Sequence, residues 1–105
     1  MTGLDIVSDG PTLRLCGIFD VRSTAAARAA IDAHLQCWEG EVVLDVADLA
    51  AVDSTALKVV AAASRRATGS GKHLVVRGAH GQVLRMLHLT HLIRLVDLDR
   101  ESIAV

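Results

Sequence analysis

The residues of this sequence best suited to chemistry are an acid followed by two hydroxyls, Asp53-Ser54-Thr55. They stand between an apolar run that ends at Val52 and an alanine-rich segment that continues to Thr68. A hydroxyl at a helix start is exposed, and a phosphate bonded to it would meet free backbone N–H groups and the positive end of the helix dipole. The pattern therefore indicates a phosphorylation site at Ser54, or a helix cap supplied by Asp53 or Ser54, and these roles are compatible.

The other candidate groups do not assemble into a reactive site. Residues 69–72, Gly-Ser-Gly-Lys, lack the spacing of a phosphate-binding loop and precede a strand, so they indicate a helix stop. His88 and His91 lie one helical turn apart without a third metal ligand nearby. Cys16 and Cys37 are too few for a disulfide framework and are expected to be reduced. We therefore expect no metal, no cofactor and no catalytic residue.

The composition predicts one globular domain over residues 1–105. Apolar residues make up 51% of the chain and charged residues 22%, which is enough for one packed core. The net charge of −1, with acids and bases mixed along the chain, argues against nucleic-acid binding. The apolar runs are too short for a membrane span, and the first residues do not form a signal peptide. We expect a cytoplasmic protein that is a monomer or a weak dimer.

The first part of the chain predicts a hairpin and then a helix. Leu4–Val7 and Leu13–Cys16 alternate apolar and polar residues on either side of an Asp-Gly turn signal. The chain is expected to leave the sheet at Gly17–Asp20. Ser23 or Thr24 is a suitable N-cap for the helix. Its buried stripe is expected to contain Ala27, Ala30, Ile31, His34, Leu35 and, at its end, Trp38.

After residue 40 the pattern alternates between strands and helices. The predicted elements are strand Val42–Val46, helix Ser54–Thr68, strand His73–Arg77, helix Gln82–Leu89 and strand Ile93–Leu98. Residues 42–46 are apolar nearly throughout, as in a strand covered on both faces, and Asp48–Val52 is expected to connect them to the helix. Right-handed crossovers make such strands parallel. We predict an α/β fold, a mixed and mostly parallel sheet of about five strands with the hairpin at its edge, packed with three to four helices.

Several segments together resemble the signature of STAS domains, the sulfate-transporter and anti-sigma-factor-antagonist family. Residues 44–49 and 52–57 are similar to its apolar strand, D-L pair and D-S-[S/T]-G-L helix start. Residues 13–20 are similar to its L-x-L-x-G-x-L-D segment, and residues 74–78 and 83–90 to its next strand and helix. The order and spacing agree over most of the chain, so the sequence is identified as a member of this family.

The resemblance implies a regulatory binding protein and not an enzyme. Soluble single-domain members in their unphosphorylated form sequester an anti-sigma factor, often an ATP-dependent serine kinase, and so release a sigma factor; a serine phosphatase resets the phosphorylated form. Carried over to this chain, the resemblance makes Ser54 the phosphoacceptor and Thr55 a secondary one. The expected partner-binding residues are Asp20, Asp53, Ser54, Thr55, Ala56 and Lys58.

This sequence departs from the family pattern at four places. Ala56 stands where the family usually has glycine, and its methyl group is expected to crowd a close partner. Lys58 and His91 occupy positions that are often small or glycine, and the closing helix of the family is reduced to Arg100–Val105. The alternative function is an accessory subunit of another assembly, such as a lipid-transport complex or a stress-sensing particle, without a phosphorylation switch.

Overall fold

A hairpin opens the fold because Gly10 and Pro11 reverse the chain between two alternating segments. The structure, a computed structural model, describes residues 3–99. Strands β1 (Leu4–Asp9) and β2 (Thr12–Phe19) pair antiparallel, with Gly10 in the left-handed conformation at φ 57°. This conformation suits a residue without a Cβ atom. The predicted hairpin is therefore confirmed.

Strands and helices alternate from β2 onward. The elements are α1 (Thr24–Cys37), β3 (Glu41–Val52), α2 (Ser54–Gly69), β4 (His73–Arg77), α3 (Gly81–Leu89) and β5 (Asp97–Leu98), with 3-10 turns at Val21–Ser23 and Leu92–Arg94. The sheet order is β1-β2-β3-β4-β5, and the pairs β2–β3, β3–β4 and β4–β5 are parallel. Since each crossover steps to the next strand in the same direction, right-handed connections place all three helices on one face of the sheet. The predicted mixed α/β sheet of five strands is confirmed.

The core lies between the sheet and these helices, so only one face of β3 is covered. Val42, Leu44 and Val46 are buried, whereas Val43 and Asp45 on the opposite face remain partly exposed. The prediction that this strand is covered on both faces is therefore wrong. Val43 made the run look continuously apolar, but the sequential strand order puts none of the three helices described in residues 3–99 on its side of the sheet.

Two strands are longer than predicted. β2 continues to Phe19 instead of leaving the sheet after Cys16, and β3 includes the residues 48–52 that were expected to form a connection. Irregularities in the β2–β3 register between Arg14 and Cys16 and after Gly17 absorb the extra residues of β3, so pairing persists to the end of both strands. Gly17 is needed there because a Cβ atom would lie 2.4 Å from the carbonyl oxygen of Gly3.

Other predicted boundaries also change. Trp38, expected on the buried stripe of α1, is 40% exposed because the backbone is already extended at this residue after the helix end. The predicted last strand is reduced to Asp97–Leu98, and a 3-10 turn occupies Leu92–Arg94. The expected short C-terminal segment 100–105 lies outside the described residues. Within residues 3–99, none of the helices combines the length and apolar character needed to span a bilayer.

Candidate functional site

Asp53 caps helix α2. Its backbone is extended, at φ −111° and ψ 173°, and its Oδ1 accepts a hydrogen bond of 2.8 Å from the backbone N–H of Ala56. The side chain thereby satisfies one of the N–H groups that a helix start leaves without a partner. Of the two capping residues that the sequence allowed, the structure therefore selects Asp53.

The same carboxylate also joins the end of β3 to the turn that follows β2. Asp53 Oδ2 accepts a hydrogen bond of 3.1 Å from the backbone N–H of Val21, and the N–H of Asp53 donates to the carbonyl oxygen of Phe19 at 3.3 Å. Both side-chain oxygens of Asp53 are therefore used in positioning the backbone. This clamp brings the 3-10 turn Val21–Ser23 beside the start of α2.

Ser54 is the first residue of α2 and has no such structural task. It is partly exposed, and its hydroxyl forms no hydrogen bond with any residue in the described range 3–99. Thr55, the next residue, is exposed. Helix geometry leaves the backbone N–H groups of these first residues without helical acceptors. The Ser54 hydroxyl thus lies beside unpaired donors and is not engaged in holding the fold.

Asp20 lies in the turn that Asp53 anchors, and it is paired with Arg22. Asp20 Oδ1 accepts from the backbone N–H of Arg22 at 3.0 Å, and the Arg22 guanidinium donates to Oδ2 at 2.8 Å. The hydrogen bonds from the guanidinium lower the pKa of Asp20, and Asp20 in turn raises the pKa of Arg22. Both groups are therefore charged at neutral pH, and the Arg22 guanidinium offsets the negative charge that Asp20 brings to this turn.

The predicted cap of α1 is arranged differently. Ser23 occupies the capping position, but its side chain makes no cap bond to α1; it accepts from the N–H of Asp20 at 3.2 Å and so closes a capping box around the 3-10 turn. Thr24 is the first helical residue, and its hydroxyl donates to the carbonyl oxygen of Val21. These bonds hold the turn that carries Asp20 and Arg22. Arg22 was not among the residues expected at the site, although an Asp-x-Arg spacing in a turn is a usable signal for such a pair.

The structure brings four of the six expected partner-binding residues to one corner of the molecule: Asp20, Asp53, Ser54 and Thr55. Lys58 lies one turn further along α2 and is exposed, in a cavity that Thr55 also lines. Ala56 is fully buried, at 0% exposure. Its methyl group packs in the core because it shares the helix face of Val60. This burial argues against a direct contact of the methyl group with a partner, and the expected partner-binding role of Ala56 stays a prediction.

The remaining candidates form no site in the described part of the chain. Residues 69–72 end α2 as predicted, with Gly71 at φ 75° and the N–H of Lys72 donating to the carbonyl oxygen of Ala67. Lys72 Nζ donates to the carbonyl oxygen of Leu35. Between residues 3 and 99 no three His, Cys, Asp or Glu side chains are grouped closely enough to hold a metal ion. Cys16 and Cys37 are free thiols, as expected.

Comparison with known proteins places this corner in a wider context. A family model described as "Mlab, STAS domain" matches residues 2–97. An anti-sigma factor antagonist from Mycobacterium paratuberculosis superposes with a TM-score of 0.74 at 21% identity, over 91% of this chain and 83% of that chain. The anti-sigma factor antagonist SpoIIAA in its unphosphorylated form gives a TM-score of 0.72 at 15% identity, over 96% and 93% of the two chains.

A third structure, the Bacillus cell fate determinant SpoIIAA in its phosphorylated form, gives a TM-score of 0.65 at 14% identity and covers 96% of both chains. No curated protein sequence matches this chain. At these identities the three structures establish a common fold.

Proposed function

The chain belongs to the STAS domain family, and from this membership we propose that it is an anti-sigma factor antagonist switched by phosphorylation of Ser54. In the unphosphorylated form it binds an anti-sigma factor with serine kinase activity and so releases a sigma factor. A serine phosphatase restores this form. The protein acts by binding and not by catalysis. One protein of this fold, SpoIIAA, is known in both unphosphorylated and phosphorylated forms, which supports the proposal.

The observation that carries the proposal is that Asp53, and not Ser54, makes the hydrogen bonds that hold the start of α2. Asp53 caps α2 and clamps the preceding turn, whereas the Ser54 hydroxyl has no hydrogen-bond partner among residues 3–99. A modification of the Ser54 hydroxyl therefore breaks no hydrogen bond among residues 3–99. If the serine hydroxyl itself capped the helix, phosphorylation would disturb its hydrogen bond to a backbone N–H group, at a cost of about 1 kcal/mol.

Phosphorylation of Ser54 would change the charge of the surface around Asp53, Ser54 and Thr55 more than its shape. The phosphate adds about −1.5 to −2 charges at neutral pH. In the free protein, water and the N-terminal amides of α2 solvate this charge. In a complex, docking removes that water and leaves the phosphate and Asp53 against a surface that fits a neutral hydroxyl. Ser54→Asp carries about half of this charge, and we expect it to weaken partner binding by about 2 kcal/mol, or roughly thirtyfold.

The phosphorylation step can be tested by mass spectrometry of the protein isolated from its own cells. Tryptic cleavage after Arg28 and Lys58 releases a peptide of residues 29–58, in which Ser54 and Thr55 are the only serine or threonine residues. A phosphate on this peptide is therefore confined to two positions. We expect it on wild type and on Thr55→Ala, and we expect Ser54→Ala to lose it. A Ser54→Ala protein still phosphorylated to the wild-type extent would exclude Ser54 as the main acceptor.

The binding step is tested by calorimetry with the anti-sigma factor of the same cell. Ser54→Ala should bind nearly as wild type, because alanine keeps the surface neutral, whereas Ser54→Asp should bind more weakly. If Ser54→Asp binds as tightly as wild type, the charge at this position does not control docking. In that case the alternative function, an accessory subunit without a phosphorylation switch, replaces the one proposed here.

A further inference from the structure

The basic residues of this chain are concentrated along the seam between α1 and α2. Four of the eleven basic residues line depressions along this seam, and a fifth, Arg65, lines a neighbouring depression on α2. Among residues 3–99, Asp32 is the one acidic residue that lines them. The five are Arg28, Lys58, Arg65, Arg66 and Lys72. The rest of the molecule is correspondingly acidic. Although the net charge of the chain is −1, its charges are unevenly distributed, and one side of the protein is positive.

This surface is a groove and not a flat patch. Three cavities follow the seam, with volumes of about 490, 210 and 290 Å³, and neighbouring cavities share the side chains of Arg28, Asp32 and Arg66. We call this row of neighbouring depressions the α1–α2 groove. It extends from Thr24 and Thr55 at one end to Ser70 and Lys72 at the other. The seam thus follows the whole of α2, whose 16 residues span about 24 Å.

Among residues 3–99, one carboxylate faces the cations of the groove. Asp32 is shared between two cations, accepting from Arg66 at 2.8 Å and lying 4.0 Å from Arg28. Lys58 and Arg65 are exposed and make no ion pair with any residue from 3 to 99. Lys72 donates to a neutral carbonyl oxygen. An anionic ligand there would therefore meet two arginines that share one carboxylate, and two further cations, Lys58 and Arg65, that have no counter-charge among residues 3–99.

The floor of the groove favours a helix as the occupant. Between the charged side chains it is made of small apolar residues: Ala25, Ala29, Val59 and Ala62. Such residues allow the backbone of a second helix to approach closely. Among the described residues that line the groove none is aromatic, so it offers no platform on which nucleobases could stack. Leu35 is the one large apolar side chain among the described residues that line the groove, and it is buried, so the groove offers no exposed large apolar side chains of the kind that an interfacial membrane site uses.

We propose that the α1–α2 groove docks an acidic amphipathic helix of a partner protein. The small apolar stripe of that helix lies on the alanine floor, and its carboxylates pair with Lys58, Arg65 and the free donors of Arg28 and Arg66. This proposal rests on the charge and shape of the groove. It does not depend on phosphorylation of Ser54, and either proposal can fail without the other.

The test is an NMR titration of the full ¹⁵N-labelled chain with a synthetic acidic helical peptide that carries glutamates on one face and alanines on the other. We expect shifts confined to α1 and α2, and binding that weakens steeply when salt is raised. The same peptide with glutamine in place of every glutamate should not bind. The double variant Lys58→Glu/Arg65→Glu should bind at least about tenfold more weakly. Its matched control is Arg85→Glu, which reverses an exposed cation on α3, outside the groove, and should bind as wild type.

Several results would overturn the proposal. The proposal fails if the acidic peptide does not bind at millimolar concentration, or if its binding shifts resonances outside α1 and α2. It also fails if the glutamine peptide binds as tightly as the glutamate peptide, or if Arg85→Glu weakens binding as much as Lys58→Glu/Arg65→Glu does. Binding of single-stranded DNA or of anionic phospholipid vesicles through the same cations, more tightly than the acidic peptide, would assign the groove to those ligands instead. The milder variant Lys58→Gln/Arg65→Gln should weaken binding by an intermediate factor, and its spectrum reports whether the fold is retained.

Discussion

Replacing Asp53 with alanine should destabilise the protein far more than replacing Ser54, although the two residues are adjacent. Asp53→Ala removes the 2.8 Å hydrogen bond from the N–H of Ala56 and the 3.1 Å bond from the N–H of Val21. Loss of a helix cap costs about 1 kcal/mol. Loss of the second bond, at an exposed position, costs about 0.5–1 kcal/mol. We therefore expect a total loss near 2 kcal/mol.

The two single variants beside it separate these contributions. Asp53→Asn retains one acceptor oxygen for the N–H of Ala56 but places an amide NH₂ group where the N–H of Val21 needs an acceptor, so it should lose about 1 kcal/mol. Ser54→Ala removes a hydroxyl that has no hydrogen bond among residues 3–99, and it should change stability by no more than about 0.5 kcal/mol.

Urea unfolding followed by circular dichroism measures all three variants. With a slope of about 1–2 kcal/mol per molar urea, the midpoint of Asp53→Ala should fall by about 1–2 M, while that of Ser54→Ala should stay close to wild type. If Ser54→Ala loses as much stability as Asp53→Ala, then the Ser54 hydroxyl holds the helix. The reasoning that it is free for modification would then fail.

Three further variants test other features of the structure. Ala56→Gly should lower stability by about 1–2 kcal/mol, because it loses a buried methyl group and helix propensity, and it should leave partner binding unchanged; tighter binding would show that the methyl group does obstruct a partner. His91 has a left-handed backbone at φ 61°, so His91→Gly should raise stability by up to about 1 kcal/mol, and a loss measured by urea unfolding would contradict this. The hydrogen bond to Asp97, with Glu41 nearby, raises the pKa of His73; its stabilisation should be complete below pH about 6.5 and should disappear as the pH rises through the higher folded-state pKa. Urea midpoints of wild type and His73→Gln should accordingly differ more at pH 5.5 than at pH 8.5. An equal difference at the two pH values would show that the charged His73 does not stabilise the fold.

The topology could be read from the sequence because each element carries its own periodic pattern. Alternation at Leu4–Val7 and Leu13–Cys16 and the helical spacing in Ser54–Thr68 are local properties, and both became the expected elements. The coverage of β3 is not local. Whether Val43 faces a helix depends on which side every crossover takes, and that follows from the strand order of the whole sheet.

For the candidate site, too, the sequence indicates which residues lie there but not how they are arranged in space. The acid and hydroxyl at 53 and 54 follow from an apolar strand that meets a helical segment, but the division of roles between them needs the positions of Ala56 and Val21 in space. Arg22 was missed because its pairing with Asp20 exists only in the 3-10 turn. The burial of Ala56, in contrast, was available from the helical phase, since this residue stands four positions before Val60.

The positive charge of the α1–α2 groove could not be read from the sequence, because the residues that create it are far apart in the chain. Arg28 belongs to α1 and Lys72 follows α2, and they line the same groove only because both crossovers lie side by side on one face of the sheet. The groove reaches Thr55, next to the acidic corner of Asp53 and Ser54. If one partner occupies both regions, it must present a surface that fits the neutral Ser54 hydroxyl at one end and carboxylates further along α2. Phosphate on Ser54 would then disturb only the first of these contacts, so the groove would limit how completely phosphorylation can release that partner.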